Sequence, residues 1–228
     1  ERLEYSVKKI LHFKYKAGLK YLKPIDTKYL SQSINSVEAE ALQFQLYEKA
    51  ITVVKNDNTV LPIKSLDKEK IAFVKLGNDS HKVFLETLQK YADVKEIAHP
   101  NLDTLKILLK EYTKVIIGFH KADGAWKNHN FTENEILLIN EISKQNEVIL
   151  DCFVKPYALS VLSFEYVKGV VLSYQNSDVS QIVSAQLIFG VFEAQGKLPV
   201  SINESFKVNH GLKTDHLNRL GFTARKIF

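Results

Sequence analysis

The sequence predicts an α/β protein in which helices cover both faces of a mostly parallel β-sheet. Three observations support this prediction. From about residue 70 onward, short apolar runs typical of strands alternate with stretches whose apolar residues recur at helical spacing. Several strand-like runs are apolar on both faces, as strands are when helices lie on each side of the sheet. The 228 residues are 45% apolar and 25% charged, which is enough for a sizeable buried core.

The chain begins with a predicted helix that stops near Gly18. Its apolar residues recur at helical spacing: Leu3, Val7, Ile10 and Leu11. We assign residues 1–19 to this helix. Residues 20–35 contain Pro24 and a polar run, and they are predicted to form a linker.

A second helix is predicted after the linker. The segment Asn35-Ser-Val-Glu38 resembles a capping box. The apolar residues that share one face of this helix are Ala39, Leu42, Leu46 and Ala50. The apolar run at residues 51–54 is assigned to no element. We assign residues 36–210 to an α/β sandwich domain and residues 211–228 to a C-terminal tail.

The regular part of the chain contains five strand-like runs. They are residues 71–76, 94–98, 115–119, 148–153 and 169–174. Helical patterns follow at residues 83–88, 102–109, 136–142, 157–162 and 182–188. A capping box, Thr132-Glu-Asn-Glu135, precedes the third of these helices, and Pro156 suits the first turn of the fourth. Five successive β-α units predict a three-layer α/β/α sandwich with a doubly wound sheet, similar in arrangement to flavodoxin.

The positive charge is confined to one end of the chain. The sequence has 31 lysine and arginine residues against 26 acidic ones, a net charge of +5. Residues 1–30 hold eight basic and three acidic residues, so the remaining residues are neutral overall. We therefore expect no nucleic-acid partner. No apolar run is long enough for a membrane span.

Searches for catalytic and cofactor motifs find none. The nine glycines form neither a dinucleotide fingerprint nor a phosphate-binding loop. The single cysteine, Cys152, lies within an apolar strand, where a packed thiol is expected. The seven histidines show no zinc-binding spacing. We predict no metal and no cofactor, although backbone amides and hydroxyls could still form a flavin-binding loop.

The loop after the third strand-like run carries the most polar chemistry. Residues 120–130 contain the only tryptophan, two histidines, two lysines and one aspartate. Such a loop could stack on a sugar ring and hydrogen-bond its hydroxyls, or its tryptophan could instead cover the sheet edge or a partner domain. Its one carboxylate does not make a glycosidase site, which needs two. The residues proposed for a substrate rim are His120, Lys121, Asp123 and Trp126.

Three segments resemble glycoside hydrolase family 3. Residues 51–63 (ITVVKNDNTVLPI), followed by residues 70–74 (KIAFV), resemble the entry into the second domain of that family. Residues 185–200 (AQLIFGVFEAQGKLPV) resemble the motif that closes the domain. Residues 6–19 (SVKKILHFKYKAGL) resemble the last helix of the catalytic (β/α)8 barrel. The segments stand in the expected order and together span nearly the whole chain.

The resemblance is greatest to the β-N-acetylhexosaminidase branch, because of Trp126 and the segment Ser173-Tyr-Gln-Asn176. It implies a retaining glycosidase whose nucleophilic aspartate lies on a barrel that is absent from this chain. The β-glucosidase branch takes its acid/base glutamate from the second domain, but Phe119 and His120 stand at that point here. No catalytic residue is therefore assigned to this chain.

What the resemblance implies is a supporting role. The chain would be a non-catalytic domain that supports a catalytic barrel in cis and lines its cleft, and the substrate would contain N-acetylglucosamine. A periplasmic or extracellular parent protein fits this role. The alternatives are a stand-alone carbohydrate-binding or interaction module and a flavodoxin-like cofactor enzyme.

Overall fold

The computed structural model describes residues 1–24, 26–124 and 126–221. The chain divides into two units, one of residues Glu1–Glu40 and one that begins at Ala41. None of the helices in these described ranges is long and apolar enough to cross a membrane.

The first unit is helical. Helix α1 spans Arg2–Lys16, a 3₁₀ turn spans Leu19–Tyr21 and helix α2 spans Leu30–Ile34. The left-handed conformation of Gly18 (φ 72°) follows α1, where glycine ends a helix without strain. No residue of α1 is buried. The predicted linker therefore contains two short helical segments, and Ile25 within it lies outside the described residues.

Helix α3 spans Val37–Ala50. The hydroxyl of Ser36 accepts a hydrogen bond from the Ala39 amide at 3.2 Å, so the cap lies one residue later than the predicted box at Asn35. Phe44 is buried, whereas Leu42 and Leu46 are 55% and 59% exposed. The apolar face that the sequence pattern suggests is therefore not the face that α3 buries.

A six-stranded sheet forms the centre of the second unit. Its strands are β1 (Thr52–Asn56), β2 (Ile71–Gly77), β3 (Val94–Glu96), β4 (Lys114–His120), β5 (Glu147–Phe153) and β6 (Gly169–Leu172). They lie in the order β1-β6-β5-β4-β2-β3. Strands β2 to β6 are parallel, and β1 pairs antiparallel to β6. The five parallel strands follow the flavodoxin order 2-1-3-4-5, which confirms the predicted fold class.

Helices cover both faces of the sheet. They are α4 (Lys82–Leu88), α5 (Leu102–Leu109), α6 (Glu133–Ser143) and α7 (Asp178–Ile188). The predicted capping box between Thr132 and Glu135 is present at the start of α6. The segment predicted as a helix at residues 157–162 is instead a 3₁₀ helix at Pro156–Val161. It has only six residues, and helical segments this short often adopt the 3₁₀ form.

The sheet is buried on both faces because its strands alternate their side chains between two cores. Ile117 and Leu150 pack in one core, while Ile116 and Ile149 pack in the other. This arrangement explains why the central strands are apolar at nearly every position. It also brings the carboxyl ends of β2, β4, β5 and β6 to one edge of the sheet.

The segment after residue 210 lies against the sheet domain. The Leu212 amide donates a hydrogen bond to the Val53 carbonyl at 2.8 Å. The Arg219 guanidinium donates to the carbonyls of Ile63 and Phe189, each at 2.7 Å. Of the predicted tail, residues 222–228 lie outside the described part of the chain.

Candidate functional site

The sheet has a topological switch point between β2 and β4, where ligands commonly bind in such folds. The loop after β2 approaches the end of β4 very closely. Gly77 has φ 81°, and a side-chain carbon there would lie 2.0 Å from the His120 carbonyl oxygen. Glycine is therefore required at this position, where only a residue without a side chain fits.

His120 fills the inside of this crevice. Its side chain is completely buried, and its ring stacks on Phe153 with centroids 4.3 Å apart. Nδ1 donates a hydrogen bond to Oδ1 of Asn176 at 2.8 Å, which places the proton of the neutral ring on Nδ1. Nε2 has no hydrogen-bond partner among the described atoms. Burial lowers the pKa of His120 to about 3, so the ring is neutral at physiological pH.

Asn176 connects three loops at the same edge. Its backbone amide donates to Oδ2 of Asp123 at 3.1 Å, and its Nδ2 donates to Oδ2 of Asp79 at 2.8 Å. The hydrogen bond from Asn176 lowers the pKa of Asp79. Nε2 of Gln181 donates to Oδ1 of Asn176, the same atom that accepts the hydrogen bond from Nδ1 of His120. Side chains thus occupy the switch-point crevice, an arrangement that argues against a flavin-binding loop there.

An open cleft lies beside this network, at the carboxyl ends of β4, β5 and β6. Its volume is about 430 Å³. The residues that line it include Asp123, His129, Lys155, Pro156, Tyr174 and Gln175. Tyr174 has φ 63°, a conformation uncommon for residues other than glycine, and its hydroxyl lies 2.7 Å from the Thr52 hydroxyl.

His129 is the buried polar group of the cleft. Its Nδ1 accepts a hydrogen bond from the Lys155 amide at 3.3 Å, so the proton of the neutral ring is on Nε2. That Nε2–H group has no partner within the described ranges. Burial, followed by the nearby Lys155 charge, lowers the pKa of His129 and keeps its ring neutral.

The four predicted rim residues lie in different places. His120 lies in the buried network. Lys121 is also buried, with its ammonium group 5.0 Å from the centroid of the Phe119 ring and 3.6 Å from Oε1 of Glu135. Trp126 is 98% exposed and is not among the lining residues. Only Asp123 lines the cleft. Sequence reasoning missed His129, Lys155, Tyr174 and Gln175. Three of them follow strands other than β4, so their proximity to Asp123 depends on strand order.

Two further reactive groups are inaccessible. Cys152 is fully buried, and burial raises the pKa of its thiol well above the usual value. Asp151 is also fully buried, where the hydroxyls of Ser173 and Ser184 donate to its two oxygens at 2.7 and 2.5 Å. Burial raises the pKa of Asp151 to about 7. Neither group can reach a substrate, so their roles are structural.

The cleft does not offer the pair of carboxyl groups that a retaining glycosidase uses. A retaining glycosidase needs two carboxyl groups about 5–5.5 Å apart. Asp123 is the one carboxylate among the residues that line this cleft, and one of its oxygens already accepts from Asn176. Within the described part of the chain, no group of three or more histidine, cysteine, aspartate or glutamate residues could hold a metal ion.

Solved structures with a similar fold include three enzymes of more than twice this length. A fungal multi-domain family 3 β-N-acetylglucosaminidase is 22% identical with a TM-score of 0.64, over 84% of this chain and 21% of its own. The Beta-glucoside phosphorylase BglX is 19% identical with a TM-score of 0.66, and the match covers 89% of this chain and 39% of the phosphorylase. A family 3 β-N-acetylglucosaminidase from a Paenibacillus species is 16% identical with a TM-score of 0.63, and the match covers 89% of this chain and 40% of that enzyme.

The chain has a fold that occurs in family 3 glycoside hydrolases. This likeness confirms the resemblance found in the sequence at the level of the fold. The chain spans 21% to 40% of the length of these three enzymes. No protein-family model and no curated protein matches the chain. The family 3 fold also occurs in solved structures described as β-glucosidases and an exo-β-xylosidase, so the fold by itself does not select a substrate.

The environment of Trp126 leads to a simple prediction. Because its side chain is 98% exposed, Trp126→Ala is expected to change the free energy of unfolding by less than about 0.5 kcal/mol. The fluorescence of the folded chain, whose only tryptophan is Trp126, should match that of tryptophan in water. Urea unfolding followed by circular dichroism and an emission spectrum check both points. A blue-shifted emission spectrum in the folded state would contradict the exposed position.

Proposed function

We propose that the chain is the non-catalytic α/β domain of a family 3 glycoside hydrolase of the exo-β-N-acetylglucosaminidase-like branch. The observation that carries the proposal is the fold of the chain, which it shares with two solved enzymes described as β-N-acetylglucosaminidases. The single carboxylate of the cleft supports a role without its own hydrolytic chemistry. The catalytic aspartate would then belong to a barrel domain in cis.

Helix α1 supports the proposed partner. Its apolar stripe is exposed over a large fraction of each side chain, with Leu3 at 79%, Ile10 at 55% and Leu11 at 57%. Apolar residues at this spacing are expected to pack against another element, since an isolated helix of this length is marginal in water. We assign this stripe to the catalytic barrel, and the lysines on the other face to solvent.

Hydrogen exchange of α1 tests the proposed partner in cis. In the chain alone, the amides of Arg2–Lys16 should exchange rapidly, because no residue of α1 is buried. In a longer protein that contains the barrel, the same amides should be strongly protected. The strands β4 and β5 serve as internal controls and should be protected in both samples. Equally rapid exchange of α1 in both samples would contradict the proposed packing.

A further inference from the structure

A buried cluster next to the Asn176 network consists of one carboxyl group and two hydroxyls. Asp151 lies on β5, Ser173 follows β6 and Ser184 lies on α7, and all three side chains are fully buried. Their oxygens form a triangle. Oδ1 of Asp151 lies 2.7 Å from Oγ of Ser173, Oδ2 of Asp151 lies 2.5 Å from Oγ of Ser184, and the two Oγ atoms are 2.8 Å apart. Each of these distances is that of a hydrogen bond between two oxygens.

The triangle needs three protons, and its two hydroxyls supply only two. A hydroxyl donates one hydrogen bond, whereas an ionised carboxylate donates none. If both hydroxyls donate to Asp151, as they do to an ionised carboxylate, the two serine oxygens face each other at 2.8 Å with no proton between them. A protonated Asp151 supplies the third proton. It donates to one serine, that serine donates to the other, and the second serine donates back to the carboxyl group. The three distances therefore fit the neutral acid.

The surroundings of Asp151 favour the same protonation state. Gly118 on β4 and Val171 on β6 are its partners in the sheet, and neither carries a charge. The titratable side chain of β4 on this face is His120, whose ring is neutral. Burial raises the pKa of Asp151 to about 7, although the hydrogen bonds from the hydroxyls lower it. The charged residues of α4 and α7, the helices that pack on this face, are all exposed: Lys82, Glu86 and Asp178.

Helix α7 connects the triangle to the Asn176 network. Gln181 stands three residues before Ser184 on this helix, and its Nε2 donates to Oδ1 of Asn176 at 2.9 Å. The side-chain oxygen of Gln181 accepts from the backbone amide of Phe84 at 2.9 Å. Ser173 stands three residues before Asn176 in the chain. A change in the contact between the two serines is therefore passed to Gln181, which holds Asn176 and the start of α4.

We propose that Asp151, Ser173 and Ser184 form a buried proton-binding site that controls how α7 holds the Asn176 network. With the proton bound, all three hydrogen bonds of the triangle are made and Gln181 is held against Asn176. When the proton leaves to solvent, the two serine oxygens face each other without a hydrogen and α7 moves away from the end of β6. The hydrogen bond from Gln181 to Asn176 weakens as a result. This proposal goes beyond the proposed function, because it concerns this domain alone and holds whether or not a catalytic domain is attached.

Carboxyl ¹³C NMR of the chain between pH 5.5 and pH 10 tests for the bound proton. At pH 5.5 carboxyl groups with ordinary pKa values are ionised, but the Asp151 carboxyl should still be protonated. Its signal should titrate with a midpoint near pH 7 and should be missing from the spectrum of Asp151→Asn, which assigns it. An Asp151 carboxyl that is already ionised at pH 5.5 would overturn the proposal.

The amide signal of Phe84 tests the connection to the network, because this amide donates to Gln181. In the unaltered chain the signal should shift with the same midpoint as the Asp151 carboxyl. Any part of the shift that persists in Asp151→Asn comes from other titrating groups and is subtracted. A Phe84 signal without a remaining shift, in a chain whose Asp151 does titrate, would overturn the proposed control of the network.

Ser184→Ala separates movement of α7 from the electric field of the ionised carboxylate. The Asp151 carboxyl should still titrate in this variant, at a higher pH, because its ionised form loses a donor. The Phe84 shift that follows this titration should fall at least about twofold, since α7 is no longer joined to the triangle. Ser143→Ala is the matched control, because this buried serine donates within its own helix α6, and it should behave as the unaltered chain does. A Phe84 shift of unchanged size in Ser184→Ala would assign it to the field alone and overturn the proposal.

Discussion

Replacing Asp151 with asparagine is expected to make the domain more stable at alkaline pH. Asp151 is fully buried, and burial raises its pKa from 3.8 to about 7. The folded state therefore binds a proton between these pH values that the unfolded state does not. Stability is lost as the pH rises through this window, and the loss is about 4 kcal/mol in the fully ionised state. Asparagine has the shape of the protonated acid and cannot ionise, so this loss disappears.

Urea unfolding of the Asp151→Asn variant at pH 4, 7 and 9 measures the effect. The difference in unfolding free energy between the variant and the unaltered chain should change by about 4 kcal/mol in favour of the variant from pH 4 to pH 9. In the variant one of the two serine hydroxyls, of Ser173 and Ser184, can donate to the amide oxygen while the other accepts from the amide nitrogen. Asp67→Asn, at an exposed position, should show no such change. A difference that does not vary with pH would show that Asp151 does not change its protonation on folding.

Replacing His120 with alanine is expected to have two separable effects. The first is a loss of about 3 kcal/mol at pH 7, because a fully buried ring that stacks on Phe153 is removed and a cavity remains. The second effect is on how the free energy of unfolding changes as the pH falls. His120 has a pKa of about 3 in the folded state against 6.5 as a model value, so the unfolded state binds a proton first as the pH falls. The unaltered chain should lose about 3 kcal/mol from this group between pH 7 and pH 4.5, and the variant should not.

The measurement is again urea unfolding, at pH 7 and pH 4.5. His216→Ala, which removes an exposed histidine, should show the same change in stability between the two pH values as the unaltered chain. Over the same interval Asp151 contributes about 3 kcal/mol in the opposite direction, so the unaltered chain should change little in total and the His120→Ala variant should gain about 3 kcal/mol in acid. If the variant and the unaltered chain change in stability by the same amount between pH 7 and pH 4.5, His120 does not change its protonation on folding.

The sequence was sufficient to predict most of the fold for a definite physical reason. Parallel strands covered on both faces are mostly apolar, and β4 and β5 are each buried at six of their seven positions, most of them apolar. Strand β1 was not predicted, because a short apolar run such as residues 51–54 can be a buried strand or part of a buried helix. Its pairing with β6, which the sequence does not show, makes it a strand. The apolar pattern of α3 does not identify its buried residue, because Phe44 rather than Leu42 or Leu46 is buried.

The candidate site was less predictable than the fold. Asp123 was identified because it follows β4, the strand whose carboxyl end lies near the switch point. Lys155 and Tyr174 follow two other strands, and they come together only because β4, β5 and β6 are adjacent and parallel. The central position of Asn176 depends on long-range hydrogen bonds to Asp79 and Asp123, which local sequence patterns do not encode.

The most direct test of the proposed non-catalytic role is hydrolysis of an aryl N-acetyl-β-glucosaminide. Two preparations are compared at equal concentration: this chain alone, and a longer protein in which it is joined to the catalytic barrel. We predict no hydrolysis above the buffer rate by the chain alone, because its cleft has a single carboxylate, and hydrolysis by the longer protein. Hydrolysis by the chain alone that is lost in the Asp123→Asn variant would contradict the account.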